Sequence, residues 1–226
     1  MAAAFDRGAD GVEVDLRLTA DGVLAVSHDE DLHRLTGVPL AIADSPWAAL
    51  VETAEQRGVQ LARAEQVLGQ AAGRLVVLEV KEPSPGRTSG YGTAVAVAEL
   101  LKKMRHAGVD LDVTVSSFAP DIIATVRELL PDDGGVRTAL LGRPEDRATA
   151  LLRQAVARGH DELHPHVSSV LAEAGVVAAG RANGVVVVPW TVNARRVVQR
   201  LEMLGAHGLI TDVPETARTA LSRVTV

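Results

Sequence analysis

The regular alternation of apolar strand-like segments with amphipathic, alanine-rich segments is the feature that most constrains the fold of this chain. Hydrophobic period and turn residues predict strands at 11–18, 75–81, 112–117, 136–141, 161–165, 185–191 and 208–211. Helices are predicted between most of them, at 93–107, 119–130, 145–157, 168–182, 194–204 and 213–222. This alternation is typical of a parallel sheet whose strands are joined by crossover helices.

A closed barrel fits this pattern better than an open Rossmann sheet, because no glycine-rich phosphate loop follows the first strand. We therefore predict an α/β fold of the TIM (β/α)8 type, with its site at the C-terminal ends of the strands. Since seven parallel strands are predicted, we expect the barrel to lack its first strand and most of its first helix. The segment 22–28 is predicted to be a hairpin arm on the first strand present.

The segment that follows this arm is irregular. Residues 30–70, with helices near 46–57 and 62–72, predict a small insertion over the barrel mouth, and residues 1–226 are predicted to form a single domain. The apolar stretch 37–50 within it includes Trp47, a candidate for contact with a lipid surface.

Composition excludes several classes of protein. A net charge of −6 argues against general nucleic-acid binding. The absence of cysteine excludes disulfides and thiolate metal sites. No apolar run approaches the length of a membrane span, and no signal peptide is visible before the first strand. We therefore expect a cytoplasmic protein, with an upstream leader as the open alternative; the sequence does not specify an oligomeric state.

Two acidic residues interrupt the first apolar strand. Glu13 and Asp15 alternate with Val12, Val14 and Leu16, so both carboxylates point to one face, roughly 7 Å apart along the backbone. Acids on a strand that is otherwise apolar indicate a metal ion or a cationic partner, because unpaired buried charge is costly. The alternative is that they are surface acids on an edge strand.

The strand at 75–81 repeats this pattern, since Glu79 and Lys81 share one face. Three carboxylates at strand ends form a hard, oxygen-rich site suited to Mg²⁺ or Ca²⁺ rather than zinc. Lys81 either pairs with Glu79 alone or also neutralises charge on a bound phosphate.

Histidine and tryptophan side chains provide further candidates. His28 follows the short apolar run after the first strand and lies beside Asp29, which favours a role in acid/base chemistry. The cluster GHDELHPH at 159–166 matches no zinc signature. Trp190 ends an apolar run, where core packing and a wall for a small substrate are both open, and Asn193 is expected to cap the following helix.

Six segments together resemble the glycerophosphodiester phosphodiesterase family, over about residues 5–217. They are GADGVEVDLRLTADG, SHDEDLHRLTG, LEVKEP at 78–83, SSFAPD at 116–121, PWTVN at 189–193 and GLITDVP at 208–214. Each segment alone is a weak signal. Their order and barrel-like spacing make the resemblance specific.

The resemblance implies a role for each candidate residue. Glu13, Asp15 and Glu79 stand where the family holds a divalent cation, and His28 stands where it has an imidazole for acid/base catalysis. Lys81 corresponds to the family's strand lysine, which we expect to act in catalysis and on the substrate phosphate. Trp190 corresponds to the aromatic residue lining the substrate pocket.

One departure from the family pattern concerns the amino terminus. Family members begin with a strand ending in His-Arg-Gly, which supplies a second catalytic histidine, and this sequence starts after that strand. The resemblance thus implies hydrolysis of a small glycerophosphodiester to glycerol 3-phosphate and an alcohol, with activity impaired by the missing histidine. The alternatives are a relative that binds metal or phosphodiester without turnover, or a phospholipase D-like enzyme acting on lysolipids or sphingolipids.

Overall fold

A computed structural model describes residues 1–71, 73–82, 90–131 and 135–221. The strands are β1 Gly11–Leu18, β2 Leu24–Val26, β3 Leu75–Val80, β4 Asp112–Ser117, β5 Val136–Gly142, β6 Glu162–Pro165 and β7 Val186–Val187. The helices are α1 Ala2–Asp6, α2 His33–Thr36, α3 Trp47–Glu55, α4 Ala64–Gln70, α5 Tyr91–His106, α6 Pro120–Leu129, α7 Ala148–Arg158, α8 Val167–Ala172, α9 Val176–Ala182, α10 Arg195–Met203 and α11 Pro214–Leu221. A short 3₁₀ helix covers Ile42–Asp44.

The chain divides into two compact units. The first unit comprises Glu13–Val115 and Asp121–Val136, and the second comprises Met1–Val12, Ser116–Pro120 and Arg137–Val226. The described strands follow the order β2-β1-β3-β4 in the first unit and β5-β6-β7 in the second.

In the first unit, β2 pairs antiparallel with β1, in a register that places Leu16 opposite Val26. The prediction of a hairpin arm at 22–28 is therefore confirmed. Strand β3 is apolar except for Glu79 and is almost fully buried, as expected for a strand covered on both faces.

Residues 30–70, predicted as an insertion, pack around a small core that they share with β2. Ala25, Leu32, Ile42 and Leu50 are buried together there, and Trp47 packs against this cluster with the Arg63 guanidinium over its ring. The Trp47 side chain is therefore partly buried against the core of its own unit. The predicted helices at 46–57 and 62–72 correspond to α3 and α4, although residue 72 lies outside the described residues.

In the second unit, β6 runs parallel to both β5 and β7, pairing Leu140 with Leu163 and Leu163 with Val187. Strand β7 is much shorter than the predicted 185–191. Pro189 follows soon after it, and proline cannot donate to a ladder.

The predicted strand at 208–211 is wrong, because the structure assigns no strand to these residues. Ile210 donates its N–H to the carbonyl of Pro189, and its own carbonyl accepts from Val192 N–H, both at 2.9 Å. In a regular parallel ladder, the two hydrogen bonds of one residue go to residues two positions apart on the neighbouring strand. The partners of Ile210, Pro189 and Val192, are three positions apart, so one extra residue interrupts the pairing.

The predicted helix at 168–182 is in fact two helices, α8 and α9. Glu173 ends α8 with a non-helical backbone, and its carboxylate accepts hydrogen bonds from Thr149 N–H, Thr149 Oγ1 and Arg147 Nε, each at 2.8 Å. The Glu173 side chain therefore binds the amino end of α7.

The segment that follows α1 contacts α11 within the second unit. Arg218 on α11 donates to the carbonyl of Gly8 at 2.7 Å and pairs with Asp10, and Arg7 pairs with Glu215. Residue 222, the last of the predicted final helix, lies outside the described residues. Among the helices described, none combines the length and the hydropathy needed to cross a bilayer.

Candidate functional site

Two neighbouring strands of the first unit bring the predicted acidic residues together. Strand β3 lies beside β1, and Lys81 N–H donates to the Leu16 carbonyl at 3.2 Å. Leu16 and Leu78 are fully buried. Because side chains alternate along a strand, Asp15 and Glu79 point to the opposite face from these leucines.

The acidic cluster consists of Glu13, Asp15 and Glu79. One carboxylate oxygen from each lies within 4.8 Å of the others. Oxygens bound to Mg²⁺ or Ca²⁺ lie about 2.0–2.6 Å from the ion, so two of them are at most about 5 Å apart. Among the described residues, this is the one group of three or more potential ligands spaced closely enough to hold a metal ion.

Lys81 is part of the same cluster. Its Nζ lies 2.8 Å from Asp15 Oδ1 and 2.5 Å from Glu79 Oε1, and about a seventh of its side chain is exposed. Burial alone would lower the pKa of Lys81, but its hydrogen bonds and charge attraction to Asp15 and Glu79 outweigh burial and raise that pKa. Lys81 is therefore a permanent cation at neutral pH.

Glu79 is the most enclosed acid of the cluster. Burial raises its pKa above the ordinary value, against the opposing effect of Lys81. Further positive charge at the cluster would lower the pKa of Glu79 again. When ionised, the three carboxylates and the one ammonium carry a net charge of −2. A divalent cation balances this charge, so the residues present fit such an ion.

His28 lies on the loop that follows β2 in the same unit. The loop is tied to β1, since Ser27 N–H donates to the Asp15 carbonyl at 3.0 Å. The His28 ring is 68% exposed, and its Nδ1 lies 2.9 Å from Asp29 Oδ1. A positive charge on the His28 ring would lower the pKa of Glu79. An accessible imidazole near the cluster is suited to proton transfer with a substrate.

Trp190 lies in the second unit, within a group of rings. Its indole meets the rings of Phe118 and His166 edge to face, with centroids 5.7 and 5.2 Å away. Its Nε1 donates to the His164 carbonyl at 3.0 Å. The Arg143 guanidinium lies 4.6 Å from the Phe118 ring centre. The peptide bond between Trp190 and Thr191 is cis.

Two other residues of the second unit are His164, within the segment GHDELHPH, and Asn193, the expected helix cap. His164 is fully buried, and its Nε2 lies 2.7 Å from Oε2 of Glu162. Its partner is therefore a residue of the same strand and not another histidine. Asn193 does not cap a helix, since α10 begins after Ala194 without a side-chain cap. The amide of Asn193 instead binds Thr211 and Asp212.

Sequence reasoning missed two residues near His28, Arg17 and Arg34. Arg17 donates two hydrogen bonds to the His28 carbonyl, and Arg34 pairs with Asp29. Arg17 had a visible signal, because it continues the series 13, 15, 17 along one strand face. The Asp29–Arg34 pair had none, because a five-residue spacing across a loop is not a periodic pattern.

Similarity to known proteins identifies the family of this chain. A profile of the glycerophosphoryl diester phosphodiesterase family matches residues 1–216. The chain belongs to this family. The membership predicted from the six motifs, and with it the predicted enzyme family, is therefore confirmed.

Individual relatives agree with this membership. A glycerophosphodiester phosphodiesterase of Bacillus altitudinis is 28% identical over 225 residues, which is 95% of this chain and 87% of the relative. The crystal structure of a glycerophosphodiester phosphodiesterase from Parabacteroides distasonis superposes with a TM-score of 0.80 at 24% identity, covering 99% of this chain and 89% of the other.

A phosphodiesterase of Oleispira antarctica, solved in complex with its product sn-glycerol-3-phosphate, gives a TM-score of 0.78 at 23% identity and covers 97% of this chain and 88% of its own. These similarities confirm the predicted α/β fold of the TIM-barrel type.

Proposed function

We propose that this protein hydrolyses glycerophosphodiesters to glycerol 3-phosphate and an alcohol, using a divalent cation. The observation that carries the proposal is the convergence of Glu13, Asp15 and Glu79 on one spot beside Lys81. Family membership supports the reaction class. The product bound to the Oleispira neighbour supports the glyceryl side of the substrate.

The cation is assigned to the three carboxylates. Hard oxygen ligands favour Mg²⁺ or Ca²⁺ over zinc. Such an ion, when bound, would withdraw charge from the phosphate oxygens during cleavage. Its positive charge would also oppose the effect of burial, which raises the pKa of the Glu79 carboxyl, so a bound ion favours the ionised form that holds it.

The remaining candidates take roles that suit their surroundings. Lys81, held by Asp15 and Glu79, adds positive charge beside the phosphate. His28 delivers a proton to the leaving alcohol oxygen as its bond to phosphorus breaks. Trp190 presents an indole supported by two perpendicular rings, which forms a rigid wall for the glyceryl group.

The test is hydrolysis of glycerophosphocholine with Mg²⁺, Ca²⁺ or EDTA, combined with calorimetric titration of each ion. We expect cation-dependent release of glycerol 3-phosphate. Glu79→Gln should lower kcat by at least about 100-fold and weaken ion binding. Glu65→Gln is the matched control, because Glu65 is an exposed acid that pairs with Lys103 on the surface.

Two outcomes would redirect this assignment. Ion binding without turnover of any diester would support a relative that binds metal without catalysis. Hydrolysis of micellar lysolipid in preference to glycerophosphocholine would support the phospholipase D-like alternative. The packing of Trp47 against its own unit's core does not favour that alternative.

A further inference from the structure

The main chain of His28 is held from β1. Arg17 donates from Nε and Nη2 to the His28 carbonyl, at 3.1 and 3.0 Å. The preceding residue, Ser27, donates its N–H to the Asp15 carbonyl of the same strand. A planar guanidinium that makes two bonds to one oxygen restricts that oxygen more than a single bond does. The loop therefore places the His28 Cα at a fixed point beside the acidic cluster.

The ring of His28 is held separately, by Asp29. The distance from Nδ1 to Asp29 Oδ1 is 2.9 Å, and the other oxygen, Oδ2, accepts from Nε of Arg34. The His28 hydrogen bond, followed by that of Arg34, lowers the pKa of the Asp29 carboxyl below its usual value. Asp29 is thus ionised at neutral pH, and an ionised carboxylate can only accept. The proton of this hydrogen bond must then belong to Nδ1.

The opposite ring nitrogen, Nε2, is the one available for proton transfer. Nε2 makes no hydrogen bond to any residue in the described ranges, and the ring is largely exposed. A neutral imidazole with its proton on Nδ1 presents a lone pair at Nε2, and a protonated one presents an N–H there. In both states the exchangeable position faces outward from Asp29.

We propose that Asp29, oriented by Arg34, is a positioning residue that fixes the proton of His28 on Nδ1 and leaves Nε2 to exchange protons with the substrate. This inference rests on the proposed acid/base role of His28. Asp29 is not one of the three acids of the cluster, and it acts through the His28 ring. Its contribution is to hold one tautomer and one ring orientation, in the way that outer carboxylates orient histidines at other sites.

The first measurement reads the tautomer directly, without turnover. In protein labelled with ¹⁵N at the histidine rings, the His28 signals are assigned by their loss in His28→Gln. We expect neutral His28 to carry its proton on Nδ1 in the wild type. In Asp29→Asn the amide can donate to Nδ1, so the population should shift toward the Nε2–H form. Asp31→Asn is the control from the same loop, since Asp31 accepts only a backbone N–H, from His33.

The second measurement is steady-state kinetics on the cation-loaded enzyme. Asp29→Asn should lower kcat by about 10- to 100-fold, part of the contribution of a general acid or base, with a smaller change in KM. Arg34→Gln should lower kcat less, because Asp29 remains. Asp31→Asn should match the wild type in both measurements.

The outcomes separate this inference from the proposed function. An active wild type whose Asp29→Asn variant keeps both the Nδ1–H tautomer and the full kcat would overturn the positioning role alone. A wild type without phosphodiesterase activity, whose tautomer still shifts in Asp29→Asn, would overturn the proposed function and leave the Asp29–His28 relationship supported.

Discussion

At the scale of single residues, the side chain of Lys81 sets the charge of the acidic cluster. Its ammonium contacts Asp15 and Glu79, and its pKa is raised by both. It therefore reduces repulsion among three carboxylates whether or not a cation is present. The same charge competes with a divalent cation for those oxygens. Lys81 therefore stabilises the cluster of carboxylates but weakens its binding of a cation.

Lys81→Gln separates these two effects. We expect divalent cations to bind this variant several-fold more tightly, because the competing ammonium is gone and the carboxylates repel one another more strongly. Turnover should nevertheless fall by about 100-fold, because positive charge beside the phosphate is lost. Calorimetric titration and kinetics on glycerophosphocholine measure the two quantities. Lys103→Gln, which removes a surface ion pair with Glu65, should change neither.

At the scale of secondary-structure elements, Glu173 joins the end of α8 to the start of α7. Its carboxylate accepts from the backbone N–H and the hydroxyl of Thr149, and from Arg147. These bonds, with the Thr149 backbone bond the largest, lower the pKa of Glu173 from 4.5 to about 2. A negative charge at a helix amino terminus is also favoured by the helix dipole.

This shift makes stability depend on pH in a defined direction. The folded pKa lies below the unfolded value, so the stabilisation is fully present above about pH 4.5 and is lost as pH falls toward 2. The free energy of unfolding of Glu173→Gln should therefore be lower than that of the wild type at pH 6, and the two values should converge in acid. Denaturant titrations across this range test the expectation. Glu55→Gln, at an exposed acid, should show no such convergence; a constant gap for Glu173→Gln would contradict the argument.

A second element depends on Asn193, which anchors the segment wrongly predicted to be a strand. Its Nδ2 donates to Asp212, and its Oδ1 accepts from Thr211 Oγ1 and Asp212 N–H. Asn193→Ala removes three hydrogen bonds, and we expect a loss of about 1–2 kcal/mol in the free energy of unfolding. Asn183→Ala is the control, because Asn183, which follows α9, makes one side-chain hydrogen bond, to the Ala179 carbonyl of that helix. Equal losses in the two variants would argue against this anchoring role.

At the scale of the whole molecule, a cation that binds the folded chain stabilises it by mass action. At a free concentration 100 times its Kd, such an ion adds about 2.7 kcal/mol to the free energy of unfolding. We expect Mg²⁺ or Ca²⁺ to raise Tm and EDTA to reverse the rise. Glu79→Gln should lose most of this response, whereas NaCl at matched ionic strength should produce none in either protein. A wild-type Tm insensitive to both ions would contradict the cation assignment.

Much of the fold followed from local pattern. The alternating positions of Glu13 and Asp15 on an apolar strand, repeated by Glu79 and Lys81, predicted a shared face, and the structure brings all four together. Strand periodicity is a local property, so it survives folding unchanged. The same holds for the hairpin arm, whose turn residues and short apolar run are contiguous in sequence.

The features decided by tertiary structure depend on residues distant in sequence. The run at 208–211 has the composition of a strand, but an extra residue between Pro189 and Val192 interrupts its pairing. The helix predicted at 168–182 breaks where Glu173 turns to α7. The ring contacts of Trp190 depend on Phe118, which lies far from it in sequence. The sequence by itself determined which side chains share a strand face. Tertiary structure alone decided which of these faces and loops meet, because hydrogen bonds between distant residues outweigh local preference.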